Sequence, residues 1–308
     1  MKPVLKIGTR ESELAVWQAA QVQTLLKENG FSSELIYIKS EGDIDTVTPL
    51  YELGVQGIFT KTLDAALLNK KIDIAVHSMK DVPTLPAKGI KQAAVLKRAS
   101  YKDVLVFKND KDFLEDKNSV AAIATSSIRR KAQWLNKFPN HTIENLRGNV
   151  NTRLKKVNES NWNGAIFAAA GLERINLRPH NSIDLDWMLP APAQGAIMVV
   201  CRENDSVSFG ACQTFNDTKT ALCTKIERDF LRTLLGGCST PISALAEIIN
   251  DKIIFKGNIC SPDGKQKFAI EKNILINDAA ESGNLAAKEL LENIQAKNII
   301  DTIRNEKK

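Results

Sequence analysis

The 308-residue sequence predicts an α/β protein, with two α/β domains of comparable build and a smaller C-terminal α+β domain. Three observations predict it. Short apolar runs alternate with segments whose apolar residues recur at helical spacing. The alternation starts over after the stretch broken by Pro83, Pro86 and Gly89, and a hairpin-like pair of strands followed by one helix closes the chain. The length agrees, because single cores stop growing at about 250–300 residues. With 43% hydrophobic and 25% charged side chains, the chain has the composition of packed domains, not of a disordered segment.

The elements follow in order. Residues 4–9 read as a short buried strand, and Ala15, Ala19, Val22 and Leu26 mark a helix stopped by Asn29-Gly30. A strand at 35–38 precedes a Gly/Asp-rich loop. Phe59, Leu63, Ala66 and Leu67 mark a second helix, and 72–76 a third strand. Strands alternating with helices predict a mostly parallel sheet. After a strand at 104–107 the second set comprises a strand at 120–124, helices from 127 and over 149–157, and a strand at 165–169. Both sets open alike: Ile7-Gly8-Thr9-Arg10 leads to a helix bearing Trp17, and Ile123-Ala124-Thr125-Ser126 to one bearing Trp134. Beyond Pro190, Pro192 and Gly195 come a strand-like run at 196–200 and a helix from Asp217 that glycines 236 and 237 can cap. Strands at 253–259 and 267–276 flank a Ser261–Gly264 turn, and one helix is expected over 279–297.

Charge and cysteine usage exclude several classes. Forty-two Lys and Arg against 36 Asp and Glu give +6, far below the excess of a dedicated nucleic-acid binder. There is no signal-like apolar region at the start and no run of about 18 apolar residues, so the chain is expected to be neither secreted nor membrane-spanning. Cys201, Cys212, Cys223, Cys238 and Cys260 are odd in number and form no CxxC, which argues for a reducing cytoplasm and against a disulfide framework or zinc site. Three histidines, His77, His141 and His180, without HExxH, leave no expected metal site.

Ligands on parallel sheets bind beyond the carboxyl ends of the strands. There the sequence places Thr9, Arg10 and Ser12; His77-Ser78-Met79-Lys80-Asp81; Thr125-Ser126-Ser127 with Arg129-Arg130; Arg147 and Arg153; and Arg174. Guanidinium forks bind carboxylates bidentately, and hydroxyls at a helix start add donors, so the set suits a ligand with several carboxylates. Phosphate would satisfy the same donors. Asp81 is suited to steadying a developing cation or relaying a proton. Cys238, beside Gly236-Gly237, is sterically open to covalent attachment, whereas the other four cysteines read as inert small hydrophobes. On residues alone, a non-catalytic two-lobed anion-binding protein remains open; nucleic-acid binding through Arg129-Arg130-Lys131 is opposed by the scarcity of interleaved aromatics.

Five segments in order, Gly8-Thr9-Arg10-Glu11-Ser12-Glu13-Leu14-Ala15, His77-Ser78-Met79-Lys80-Asp81-Val82-Pro83, Thr125-Ser126-Ser127-Ile128-Arg129-Arg130, Leu146-Arg147-Gly148-Asn149-Val150-Asn151-Thr152-Arg153-Leu154 and Gly236-Gly237-Cys238, closely resemble the motifs of the hydroxymethylbilane synthase (porphobilinogen deaminase) family over about residues 4–300. The resemblance implies a transferase that deaminates porphobilinogen and joins four molecules head to tail, releasing hydroxymethylbilane by hydrolysis. It implies a dipyrromethane cofactor in thioether linkage to Cys238, contacted by Lys80, Asp81, Thr125, Ser126, Ser127, Arg129, Arg130 and Arg147. It assigns catalysis to Asp81 and substrate binding to Arg10, Ser12, Arg147, Arg153, Arg174 and Gln194, with Phe59 in a loop over the active site. Gln56 stands in that loop where many relatives have lysine.

The fold implied is two periplasmic-binding-protein-like α/β domains flanking a cleft, 1–97 with 196–214 and 98–195, plus an α+β domain, 215–308, carrying the cysteine. Porphobilinogen is the expected partner, with no nucleic acid, no membrane and no metal, and the chain is expected to be a cytoplasmic monomer.

Overall fold

The computed structural model describes residues 3–39, 60–116, 118–234 and 240–305. In chain order come β1 (Leu5–Thr9), α1 (Glu13–Glu28), β2 (Ser33–Tyr37), α2 (Lys61–Leu68), β3 (Ile74–Ser78) and β4 (Ile90–Val95). Then follow β5 (Asp103–Phe107), β6 (Ala122–Ala124), α3 (Ile128–Lys137), β7 (Thr142–Glu144), α4 (Val150–Glu159), β8 (Gly164–Ala168), α5 (Ala169–Glu173) and β9 (Ser182–Asp184). The last group is β10 (Ile197–Arg202), α6 (Ser206–Gln213), α7 (Thr218–Thr233), β11 (Ile242–Ile249), β12 (Lys252–Cys260), β13 (Lys267–Leu275), α8 (Ser282–Glu292) and α9 (Ile294–Asn305). The described residues fall into two compact units, one of residues up to 99 with 195–222, the other of 100–194 with residues from 223 onward.

The first unit is built on a five-stranded sheet of order β2-β1-β3-β10-β4. β1 pairs in parallel with β2 and β3, while β10 runs antiparallel to both β3 and β4. Four strands therefore share a direction and one is reversed, which sharpens the expected mostly parallel sheet. Ile7, Ile74, Val76, Val199 and Cys201 pack with Ala19, Val22 and Leu26 of α1 and with Ala211 and Cys212 of α6. On the opposite face, a side chain at Gly8 would collide with the terminal methyl of Ile72 and approach Leu63 of α2 to 3.1 Å, so glycine favours the close packing here.

The second unit repeats the arrangement in order β7-β6-β8-β5-β9, with β6 parallel to β7 and β8, and β5 antiparallel to β8 and β9. Both faces are covered, as near-continuous apolar strands require. Val104, Val106 and Phe167 pack with Val157 of α4 on one side, and Leu105, Ile123 and Ile166 with Trp134 of α3 on the other.

The same unit holds an antiparallel meander, β11-β12-β13. α7 lies on it through Phe230, whose ring meets Phe255 edge-on at 5.2 Å and leaves no room for a side chain at Gly257. Gln133 of α3 donates to Ser243 Oγ at 3.0 Å, and Asn136 Nδ2 to Gly264 O at 2.8 Å, so meander and five-stranded sheet are joined by polar contacts.

The structure departs from the sequence expectations at several elements. The single helix over 279–297 is two, α8 and α9, because Asn293 adopts extended backbone and its Oδ1 accepts from Gln295 N and Ala296 N, starting a new helix. Strands β4, β7, β9 and β11 and helices α5 and α6 were not foreseen. Glycines 236 and 237 as a cap lie outside the described residues.

Candidate active site

In the first unit β1 and β3 lie side by side in parallel, Ile7 opposite Ile74 and Gly8 opposite Ala75, and so release the chain at one sheet edge. Off β1 come Thr9, Arg10 and Ser12; off β3 comes a single 3-10 turn, Met79–Asp81, bearing Lys80 and Asp81. Arg10, Ser12, Lys80 and Asp81 are all half-buried. Ser12 stands at the N-cap of α1. The turn is held from behind: Met79 N donates to Ala196 O at 3.0 Å, and Gln18 Nε2 of α1 donates to Ser78 Oγ at 2.9 Å. His77, buried just before it, is pushed down to about 4 by burial and by the charge of Arg10. It is neutral at pH 7, so the positive charge of this edge comes from Arg10 and Lys80.

In the second unit β6 is flanked by parallel β7 and β8, and the three strands open on a corresponding edge. Thr125, Ser126 and Ser127 follow β6. Ser127 caps α3 by accepting from Arg130 N at 3.4 Å, and Thr125 Oγ1 accepts from Ser127 N at 3.2 Å. Ser126 Oγ lies 2.6 Å from both Asn145 Oδ1 and Leu146 O and accepts from Leu146 N at 3.0 Å. Its hydroxyl thereby fixes the loop leading to the buried Arg147.

Gly148, at φ +111°, turns that chain into α4, whose N-cap Asn149 accepts from Thr152 N at 2.9 Å. Arg153 Nε donates back to Gly148 O at 2.7 Å. Arg174, half-buried beyond β8, is pulled down to about 10 by burial and still carries its charge at neutral pH.

The sequence reading missed Asp103. Because β5 is reversed, Asp103 lies opposite Ala168, at the carboxyl end of β8. It is fully buried, with Arg129 Nη1 2.8 Å from Oδ2, and Arg130 Nε and Nη2 at 2.9 and 2.8 Å from Oδ1. The two guanidinium groups hold its carboxyl well below the ordinary carboxylate range, against the opposing effect of burial. Gln194, also buried, donates to the same Oδ1 at 3.0 Å and to Tyr101 O at 2.8 Å. The signal available in the sequence was one acid heading an otherwise apolar strand, since a charge there is stable only when paired.

Arg10, Ser12, Lys80 and Asp81 thus share one edge. Thr125, Ser126, Ser127, Arg129, Arg130, Arg147, Arg153, Arg174 and Gln194 belong to the other unit. Cys238 and Phe59 lie outside the described residues. The four other cysteines are buried and free, and burial pushes Cys212 up to about 12 and Cys260 to about 11, so neither is a thiolate near neutral pH. Among the described residues no helix is long and apolar enough to cross a membrane.

The donor set fits a group bearing several carboxylates. Among the described residues, the side chain of Arg129 meets its partners through Nη1, in an ion pair with Asp103 Oδ2 and a hydrogen bond to Leu189 O, each at 2.8 Å, and its Nε–Nη2 edge has the fork geometry that suits a planar anion.

Comparison with known proteins points the same way. The family profile described as porphobilinogen deaminase, dipyromethane cofactor binding domain, matches residues 5–208, and that of the porphobilinogen deaminase C-terminal domain matches 221–292. The chain is 40% identical to the porphobilinogen deaminase of Pelotomaculum thermopropionicum, covering 100% of this chain and 99% of the relative. It is 37% identical to that of Desulforamulus reducens over 99% of each. A probable porphobilinogen deaminase from Methanocaldococcus jannaschii is 39% identical over 92% of this chain and 98% of its own. Among solved structures, the periplasmic VFT2 domain of Bordetella pertussis BvgS aligns at TM-score 0.43 and 12% identity over 71% of this chain and 91% of its own. With a profile match over well over half its length and full-length relatives near 40% identity, the chain belongs to the porphobilinogen deaminase family.

Proposed function

We propose that the chain deaminates porphobilinogen and joins four molecules head to tail on a covalently attached dipyrromethane primer, then releases hydroxymethylbilane by hydrolysis. One observation carries the reading: the family's cationic and hydroxyl motif residues lie at the carboxyl edges of two sheets of the same strand order, with Asp81 on one of them.

Bound through a thioether to Cys238, a dipyrromethane supplies the electron-rich pyrrole terminus on which the product is extended. Lys80, Thr125, Ser127, Arg129 and Arg147 would hold its carboxylates. Arg130 and Ser126, committed to Asp103 and to the loop before Arg147, act on the cofactor by keeping these donors in place.

Arg10, Ser12, Arg153 and Arg174 would bind the acetate and propionate groups of incoming substrate. Each ring brings two carboxylates, and guanidinium groups neutralise them without losing their own proton. Asp81 accepts hydrogen bonds from pyrrole N–H groups and steadies the positive charge that develops as ammonia leaves. Gln194 acts through Asp103, and Phe59 belongs to a loop covering the site.

We read the chain as three domains, 1–97 with 196–214, 98–195 and 215–308, and as a cytoplasmic monomer. Intact mass tests the function: the native protein should be heavier than its sequence by one dipyrromethane, and Cys238→Ala should abolish the increment. A fully active enzyme of unmodified mass would overturn the reading.

A further inference from the structure

The buried cluster at the start of β5 divides the labour of two adjacent arginines. Arg130 spends its side-on edge, Nε and Nη2, on Asp103 Oδ1 and its Nη1 on Ile166 O at 2.8 Å. Arg129 meets Asp103 Oδ2 and Leu189 O through Nη1 alone, and among the described residues its side-on edge has no hydrogen-bond partner. Both side chains are less than a tenth exposed, so neither is a mobile surface cation. Two guanidinium groups around one carboxylate leave a single net positive charge, and the geometry decides which arginine offers it. Gln194, at the return to the first unit's strand β10, donates to Oδ1 of the same carboxylate.

We propose that Asp103 is a positioning residue for the cofactor site: it consumes Arg130, turns the free fork of Arg129 toward a cofactor carboxylate, and is itself held by Gln194. This rests on the function proposed above. It assigns Arg129 to the ligand and Arg130 to the scaffold, although the two are neighbours in one motif.

The test uses the full chain produced without cofactor, exposed to porphobilinogen, with the fraction carrying the added mass followed over time and thermal unfolding measured in parallel. Asp103→Asn raises the local positive charge by one. If the cluster acted only as a source of positive potential, attachment would be as fast or faster, most clearly at low salt. Positioning predicts the reverse, attachment slowed about tenfold or more, because a misplaced group loses most of its oriented contact.

Arg129→Lys and Arg130→Lys decide the matter if Asp103→Asn fails to fold. Arg129→Lys keeps the charge but loses the fork, and should slow attachment more than it lowers the melting temperature. Arg130→Lys should show the opposite split. Equal or faster attachment in folded Asp103→Asn, or a larger attachment defect in Arg130→Lys than in Arg129→Lys, overturns the assignment. A wild-type chain that never gains the mass would instead overturn the proposed function.

Discussion

The two five-stranded sheets share strand order and a reversed fourth strand, yet their ligand edges are built differently. In the first unit the reversed strand begins at the apolar Ile197, and Arg10, Lys80 and Asp81 lie half-buried beyond the strand ends. In the second, the reversed strand begins at Asp103, which draws two arginines and Gln194 into the protein interior. A reversed strand delivers its first residue to the edge where its neighbours end, so the residue type there decides whether cations are drawn into the sheet interior. Under the proposed function the first edge is the reacting site and the second the preorganised anion cradle.

The largest effect that would break this contrast is on turnover. Asp81→Ala should keep its circular dichroism and lose nearly all porphobilinogen consumption, and wild-type rates in that variant would remove the first edge from the chemistry.

Next in size is the response to acid. His77, held near 4 in the fold against about 6.5 when unfolded, must take up a proton on unfolding between those values. The unfolded state then binds more protons, so the first unit loses up to about 3 kcal/mol as pH falls from 6.5 to 4. Asp103 acts in the other window. Its depressed carboxyl stabilises the second unit above the unfolded value of about 4, and that contribution is drawn down only as pH falls further. Hydrogen exchange of β1 and β3 amides at pH 7 and 4.5 should show the first loss, and His77→Gln should abolish it. Equal slopes in both proteins would show that His77 is not its source.

The smallest effect sharpens how the second edge is held. At Gly148, φ is +111° and a Cβ would lie 2.8 Å from the Thr152 side chain. Gly148→Ala should therefore cost more than about 1 kcal/mol in denaturant unfolding and weaken substrate binding through Arg147. An unchanged midpoint would mean that the loop relaxes without strain.

The strands bearing the motifs were legible because β1, β3, β6 and β8 are short runs dominated by apolar residues, and β1, β3 and β6 lead straight into polar segments. β4 and β11 were not. Ile90-Lys-Gln-Ala-Ala-Val and the centre of β11, Ala244-Leu-Ala-Glu247, are rich in helix formers and poor in the β-branched and aromatic residues that mark strands. They are strands because β10 and β12 offer them a ladder. Arg129 and Arg130 were legible as a pair of cations but not as a pair with different partners, since their roles depend on which nitrogen faces an aspartate 26 and 27 residues away.

By itself the sequence determined the class of the protein, the order of its motifs and the chemistry of its ligand, because hydrophobic period and residue type act locally. The tertiary structure alone decided the reversal of β5 and β10 and the burial of Asp103, because pairing between strands distant in sequence is a contest of packing that no local pattern records.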